Sequence, residues 1–206
     1  MRQVPTSPRK TGRPLSFDRE VVLERAMLAF WDSGYETTSI SDLTAAMGVT
    51  APSLYAAFGN KQQLFMEAMR RYAGDRVAFE QAMRQAPSAR EAVAGMLRGA
   101  AELYTGDTTP RGCLLASAAA TGSPDASEVR AAVAAERREV REIIMRRILV
   151  DIAQGHLAPD TPAPMLADLT LAVTQGMSVL ARDGADRESL LAVAEAATAS
   201  WGHYEV

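Results

Sequence analysis

The feature that most restricts this chain is its punctuation. Runs of apolar residues recur at three- and four-residue spacing, and Gly, Pro, Asp, Asn, Ser or Thr stand at the joints. Alternation of period two is nowhere sustained, so no strand is required. Alanine makes up 38 of the 206 residues and aromatics only 12. Alanine is the best helix former and has no side-chain rotamers to lose, so such a chain builds thin, closely packed helices. The reading is all-α.

The joints set the boundaries. Asp18 is placed to cap a first helix that ends at Gly34. Val22, Leu23, Ala26, Met27, Ala29 and Phe30 supply its apolar stripe. Thr38 or Ser39 caps a short helix over 40–47, stopped by Gly48. Thr50 caps a third over 51–58, with Pro52 in its first turn, where a missing N–H costs nothing. Gly59 ends it, and Asn60 starts a long helix expected over 61–83. Beyond Pro87, helices are predicted over 89–104, 113–120, 126–154, 165–181 and 187–201.

The formal net charge is −3, which for a uniform body argues against nucleic acid. It is an average over unlike halves. Residues 1–74 carry nine basic and seven acidic residues, with four of the positives in the first 13. Residues 75–206 carry 13 basic and 18 acidic. Residues 1–16 read as a flexible basic arm with three prolines and a glycine. The lone Cys113 excludes an internal disulfide framework and a cysteine-based zinc site. No cofactor, metal site or catalytic group is expected. Cys113 has no evident His partner, and no Gly-rich phosphate loop occurs. The polar N-terminus and the lack of a long uninterrupted apolar run predict a cytoplasmic protein with no membrane partner.

The stretch from Ser39 to Tyr55 carries the functional signal. Two short helices meet at a Gly-containing turn, the helix-turn-helix plan. Leu43, Met47, Val49 and Leu54 are spaced to clamp the pair, and Gly48 permits a left-handed turn. Thr50, Ala51, Ser53 and Tyr55 then face outward as small or hydroxylated groups that can approach a DNA groove. A plain helical hairpin has the same pattern.

Residues 13–72 resemble the DNA-binding region of the TetR/AcrR family of transcriptional regulators. The resemblance runs without a gap through Phe30-Trp31-Asp32-Ser33-Gly34-Tyr35-Glu36-Thr37-Thr38-Ser39-Ile40 and Met47-Gly48-Val49-Thr50-Ala51-Pro52-Ser53-Leu54-Tyr55. It continues through Ala56-Ala57-Phe58-Gly59-Asn60-Lys61-Gln62-Gln63-Leu64-Phe65. It implies a helix-turn-helix DNA-binding domain over 17–60, a connecting helix over 61–84, and a ligand-binding and dimerisation domain over 85–206. It also implies a dimeric repressor on a palindromic double-stranded DNA operator, released by a small molecule. Thr38 and Ser39 would touch phosphate. Thr50, Ala51, Pro52 and Ser53 would face bases or phosphates. Tyr55 and Lys61 would bond phosphates. Ala56 and Ala57 depart from the aromatic or histidine residues of many relatives. The third helix holds no Arg or Asn for a bidentate base contact, so specificity is expected to lean on methyl contacts and DNA shape.

In the second region, Leu166, Leu169, Val173, Gly176, Met177 and Leu180 form one apolar stripe. Leu190, Val193, Ala194, Ala197 and Trp201 form another. Both are expected to meet their copies in a homodimeric four-helix bundle, the alternative being an intramolecular core. Met96, Leu103, Tyr104, Cys113, Leu114, Ser117, Ile144, Ile148 and Met177 are candidates for a pocket holding a small hydrophobic or amphipathic ligand, although for each one ordinary core is the simpler reading. Some relatives with a similar Gly-Cys-Leu stretch sense electrophiles or oxidants, which gives Cys113 an alternative role. An activator, and a helical scaffold that binds no DNA, are the other readings. The charged run from Glu136 to Arg147 is expected to be a solvated face with i,i+3 and i,i+4 ion pairs.

Overall fold

The computed structural model describes residues 17–118 and 126–206. The expected basic arm over 1–16 and the end of the helix predicted over 113–120 lie outside these residues. The described residues form ten α-helices and a closing 3-10 turn at Ser200–His203. Their one extended pairing is an isolated antiparallel bridge between Leu157 and Glu205.

The first three helices fall where the joints put them: α1 (Arg19–Ser33), α2 (Ile40–Met47) and α3 (Ala51–Phe58). The Asp18 carboxylate accepts from the backbone N–H groups of Glu20 and Val21, and Gly34 closes α1. The helix expected over 61–83 is instead two, α4 (Lys61–Ala73) and α5 (Arg76–Gln85). Gly74 takes a φ of 68°, which ends α4. The Asp75 carboxylate then caps α5 through Val77 and Ala78. A Gly-Asp pair is a stop followed by a start, and here it outweighs the continuous apolar spacing around it.

The body comprises α6 (Ala89–Tyr104), α7 (Leu114–Ala118), α8 (Ser127–Ala153), α9 (Ala163–Arg182) and α10 (Arg187–Ala199). α6 packs against α9 and α10, and α8 against α9. Leu97, Ile144, Ile148, Leu166, Met177, Leu190 and Trp201 form the centre of its core. α9 is the one described helix long and apolar enough to cross a membrane, but its buried face is the wall of this core. The start of α6 is fixed by Asp151, which accepts from Ala89 N–H at 2.6 Å and from Arg147. Both members of that pair are buried, so each neutralises a charge that would be costly alone.

A second core belongs to the head. Phe30 and Trp31 of α1, Leu43, Met47, Leu54 and Phe58 of the short helices, and Leu64 and Phe65 of α4 are all buried in it. Each such side chain contributes roughly 1.5–3 kcal/mol through burial. α4 is therefore part of the head as well as a connector. Leu114 and Ala118 of α7 and Val129 and Val133 of α8 enter the same cluster, so head and body share a continuous apolar seam.

One polar contact pins that seam. The Trp31 indole N–H donates to the Gly112 carbonyl at 2.9 Å, fully buried. Its ring meets Tyr72 of α4 edge-on, centroids 4.8 Å apart. Gly112 holds a φ of 81°, and a Cβ there would lie 2.9 Å from the Ser178 carbonyl oxygen. Only glycine brings the chain this close to α9. Trp31→Phe leaves the Gly112 carbonyl without its donor and is expected to cost about 1–3 kcal/mol in urea unfolding. An unchanged midpoint would mean that the contact does not hold head to body.

Candidate nucleic-acid interface and sensing cavity

The helix-turn-helix has the geometry its residues imply. Gly48 adopts the left-handed conformation, φ 70° and ψ 31°. Arg25 Nη1 donates to the Met47 carbonyl at 3.3 Å and so occupies an orphan acceptor at the end of α2. Leu43, Met47 and Leu54 are buried as the clamp, and Val49 is half-buried. The outer face of α3 presents Thr50, Pro52, Tyr55 and Ala56, with Ala51 and Ser53 half-buried beside them. Tyr55 is 47% exposed, with its hydroxyl available to a partner. Thr50 accepts from the Ser53 N–H at 3.4 Å and lies 2.9 Å from the Ser53 hydroxyl, which makes it the N-cap of α3.

Three phosphate-contact expectations look different in three dimensions. Thr38 is corrected: it is buried, and its hydroxyl donates to the Gly34 carbonyl at 2.5 Å. It closes the loop between α1 and α2 and does not face solvent. Ser39 is exposed, but its hydroxyl donates to Asp42 at 2.7 Å in a reciprocal capping box. Those hydrogen bonds from Ser39 hold the Asp42 carboxyl below its usual range. Lys61 is half-buried. Its ammonium donates to the Glu36 carbonyl at 3.3 Å and sits 4.6 Å from the centre of the Tyr35 ring. Burial lowers its pKa. Lys61 thus braces the aromatic cluster of Phe30, Tyr35 and Phe65.

The body holds a cavity of about 270 Å³ among α4, α5, α6, α8, α9 and the loop before α7. Four of the nine expected residues border it: Met96, Leu103, Tyr104 and Cys113. Five do not, and they are corrected. Ile144, Ile148 and Met177 are fully buried one layer behind, in the body core. Leu114 points into the head core. Ser117 turns back along α7 and donates to the Cys113 carbonyl at 2.9 Å. Helical spacing alone does not say which inward residue meets a void and which meets another side chain.

The cavity adds residues that sequence reasoning passed over, chiefly Tyr72, Arg76, Phe79, Glu136, Arg137, Leu171 and Thr174. The Tyr72 hydroxyl donates to Cys113 Sγ at 3.3 Å. Burial pushes the phenol pKa values of Tyr72 and Tyr104 well up, so both stay protonated donors. A signal for Arg137 did exist. Val133, Arg137, Val140, Ile144 and Ile148 recur at helical spacing, which puts an arginine on an apolar stripe. The charged run is also corrected. Arg76 reaches Glu136 and Glu139, Arg141 pairs with Asp168, and Arg146 with Glu80, all between elements. Arg147–Asp151 is an i,i+4 pair, and it is buried.

The proposed dimer stripes divide into two faces. Leu166 and Met177 of α9 are buried within the chain, as are Leu190 and Ala194 of α10 and Trp201 of the closing turn. For these residues the intramolecular alternative holds. Leu169 and Leu180 are exposed by 41% and 43%, in register with exposed Met165 and Val179, and Val173 is half-buried. Val193 and Ala197 of α10 are half-buried against the core. Among the described residues no group of three or more His, Cys, Asp or Glu could hold a metal ion.

Comparison with known proteins agrees with this architecture. Residues 22–68 match the model of bacterial regulatory proteins, tetR family. Residues 89–197 match that of a tetracyclin repressor-like C-terminal domain. The chain is 36% identical over 194 residues to the HTH-type transcriptional repressor ComR of Escherichia coli (strain K12), covering 92% of this chain and 91% of that protein. It is 28% identical over 187 residues to the repressor BdcR of the same organism, covering 90% of each. Among solved structures, a cysteine mutant of the TetR family transcriptional regulator CifR, complexed with 26-base-pair double-strand operator DNA, superposes with a TM-score of 0.87. It is 46% identical, and the match covers 92% of this chain and 100% of that one. A TetR transcriptional regulator from Chloroflexus aurantiacus J-10-FL superposes with a TM-score of 0.76 at 28% identity, covering 91% and 95%. The chain belongs to the tetR family of bacterial regulatory proteins.

Proposed function

We propose that this protein is a cytoplasmic, dimeric transcriptional repressor that holds operator DNA through α2 and α3 and releases it when a small apolar or amphipathic molecule fills the body cavity. It has no catalytic role in this reading. Thr50, Ala51, Pro52, Ser53 and Tyr55 meet the major groove and its phosphates, and Ser39 approaches the backbone at the start of α2. The small side chains on α3 allow close approach. Two heads sit about 34–36 Å apart on one face of a palindrome. The exposed strip of Met165, Leu169, Val179 and Leu180 is the subunit contact.

The observation that carries the ligand response is adjacency. Cys113 borders the cavity, and the next residue back, Gly112, accepts the Trp31 indole of the head. Tyr72 of α4 also borders the cavity and packs on that same indole. An occupant that displaces Tyr72 or the Gly112–Cys113 loop therefore shifts α1 and α4 together, and with them the head. It acts only to the extent that it binds the released setting more tightly. A second reading rests on Cys113 Sγ: it forms part of the cavity wall beside the Tyr72 hydroxyl, so an electrophilic occupant would meet a thiol there. Electrophile-driven release that persists in Cys113→Ser would remove that reading.

DNA flanking the gene is expected to be retarded in a gel shift, with an affinity that falls steeply as salt rises. No retardation at low salt would favour the helical-scaffold alternative. Tyr55→Phe, which removes one phosphate hydrogen bond, is expected to weaken operator binding by about 1 kcal/mol, a several-fold rise in Kd by fluorescence anisotropy. A compound that releases DNA should bind the free protein more tightly than the operator complex in calorimetry. Equal affinities would contradict the release mechanism.

A further inference from the structure

Several charges of α8 are matched by partners on the same or neighbouring helices. Glu136, Arg141, Arg146 and Arg147 each have a partner of opposite sign. Arg137 has no carboxylate within ion-pair reach among the described residues. Its Nη2 donates to the Leu115 carbonyl at 2.8 Å. Its Nε is buried from solvent and has no hydrogen-bond partner. This side chain borders the cavity. Arg147 Nε is buried without a partner in the same way, but Arg147 has the Asp151 carboxylate and Arg137 has none. A guanidinium with no counter-charge beside apolar walls favours an anionic acceptor.

The rest of the lining fixes the sign of that acceptor. The charged residues on the cavity wall are Arg76, Glu136 and Arg137, a net of one positive charge. Glu136, the one acid among them, is already engaged by Arg76. Tyr104 stays a neutral O–H donor, so no phenolate opposes an anion. The remaining wall includes Met96, Val140 and Leu171, which suit an alkyl or aryl body. We infer that the cavity takes an amphipathic anion, with a carboxylate head on the Arg137 guanidinium and an apolar tail among these side chains. This rests on the proposed ligand-cavity reading and narrows it from hydrophobic molecules in general to organic acids.

The test uses the full-length protein with octanoate, octanol and octylamine as probes of one tail and three heads. Calorimetry is expected to give octanoate at least tenfold tighter binding than the other two, and octanoate alone should release the operator at matched concentration. Arg137→Met should erase that preference while octanol binding persists. Arg137→Gln, which keeps a donor for the Leu115 carbonyl, provides the same comparison if the methionine variant folds poorly. Ala100→Leu fills the cavity and should weaken all three probes. Octanol binding as tightly as octanoate, or a preference for octanoate that survives both Arg137 variants, would overturn the carboxylate assignment and leave the ligand cavity standing. If no probe binds, or if Ala100→Leu changes nothing, the cavity reading falls and the assignment with it.

Discussion

The head stays fixed to the body through the bond from the Trp31 indole to the Gly112 carbonyl. The bond needs three conditions at once. Trp31 must sit at the end of α1 facing the body, Gly112 must adopt a left-handed conformation, and α9 must be close enough that no Cβ fits between. Arg182 of α9 adds a bond to the Trp31 carbonyl at 2.5 Å, and the Ser178 hydroxyl accepts from the Cys113 N–H at 2.8 Å. Head, loop and body helix therefore meet at one point. Because packed interiors are close to crystalline in density, a shift on one side is felt on the other. The ligand response proposed above depends on this junction, since the cavity and the anchoring carbonyl lie on adjacent residues.

The division of charge follows the same geometry. The basic excess of residues 1–74 comes from the four positives of the first 13 in the sequence, and the head exposes small and hydroxylated groups on α3. The body is acidic, and Arg76, Arg141, Arg146 and Arg187 pair with acids from other helices. α8 illustrates this, with its long side chains bracing α5 and α9 instead of coating a solvated surface. Surface pairs of this kind contribute little individually. Their larger effect is to fix which helix faces which, and so to leave Arg137 unmatched beside the cavity.

Much of the helical framework was legible because the joints are chemically explicit. Asp18, Ser39, Thr50 and Asn60 are caps with side-chain hydrogen bonds, and Gly34, Gly48 and Gly59 stop the helices that precede them. Where the reading failed, a local signal was present and underweighted: Gly74-Asp75 ended a helix that the apolar spacing alone would continue. The candidate pocket was legible in part. Periodicity identifies the inward side of a helix, and that was enough for Met96, Leu103, Tyr104 and Cys113. It could not separate them from Ile144, Ile148 and Met177, because lining a void and filling a core are the same property at the level of one helix.

The sequence by itself determined the fold class, the order of the caps and the helix-turn-helix with its outward Thr50, Pro52 and Tyr55. These follow from interactions within a few residues, where spacing is geometry. The tertiary structure alone decided the rest. It turned Thr38 inward, set Lys61 over Tyr35, split the α9 stripe into a buried and an exposed face, and brought Tyr72, Cys113 and Arg137 to one cavity. Those outcomes depend on which helices touch at long sequence separation. The energies that choose the contacts are sums over many small apolar terms and a few buried polar bonds, and no single segment of the chain contains them.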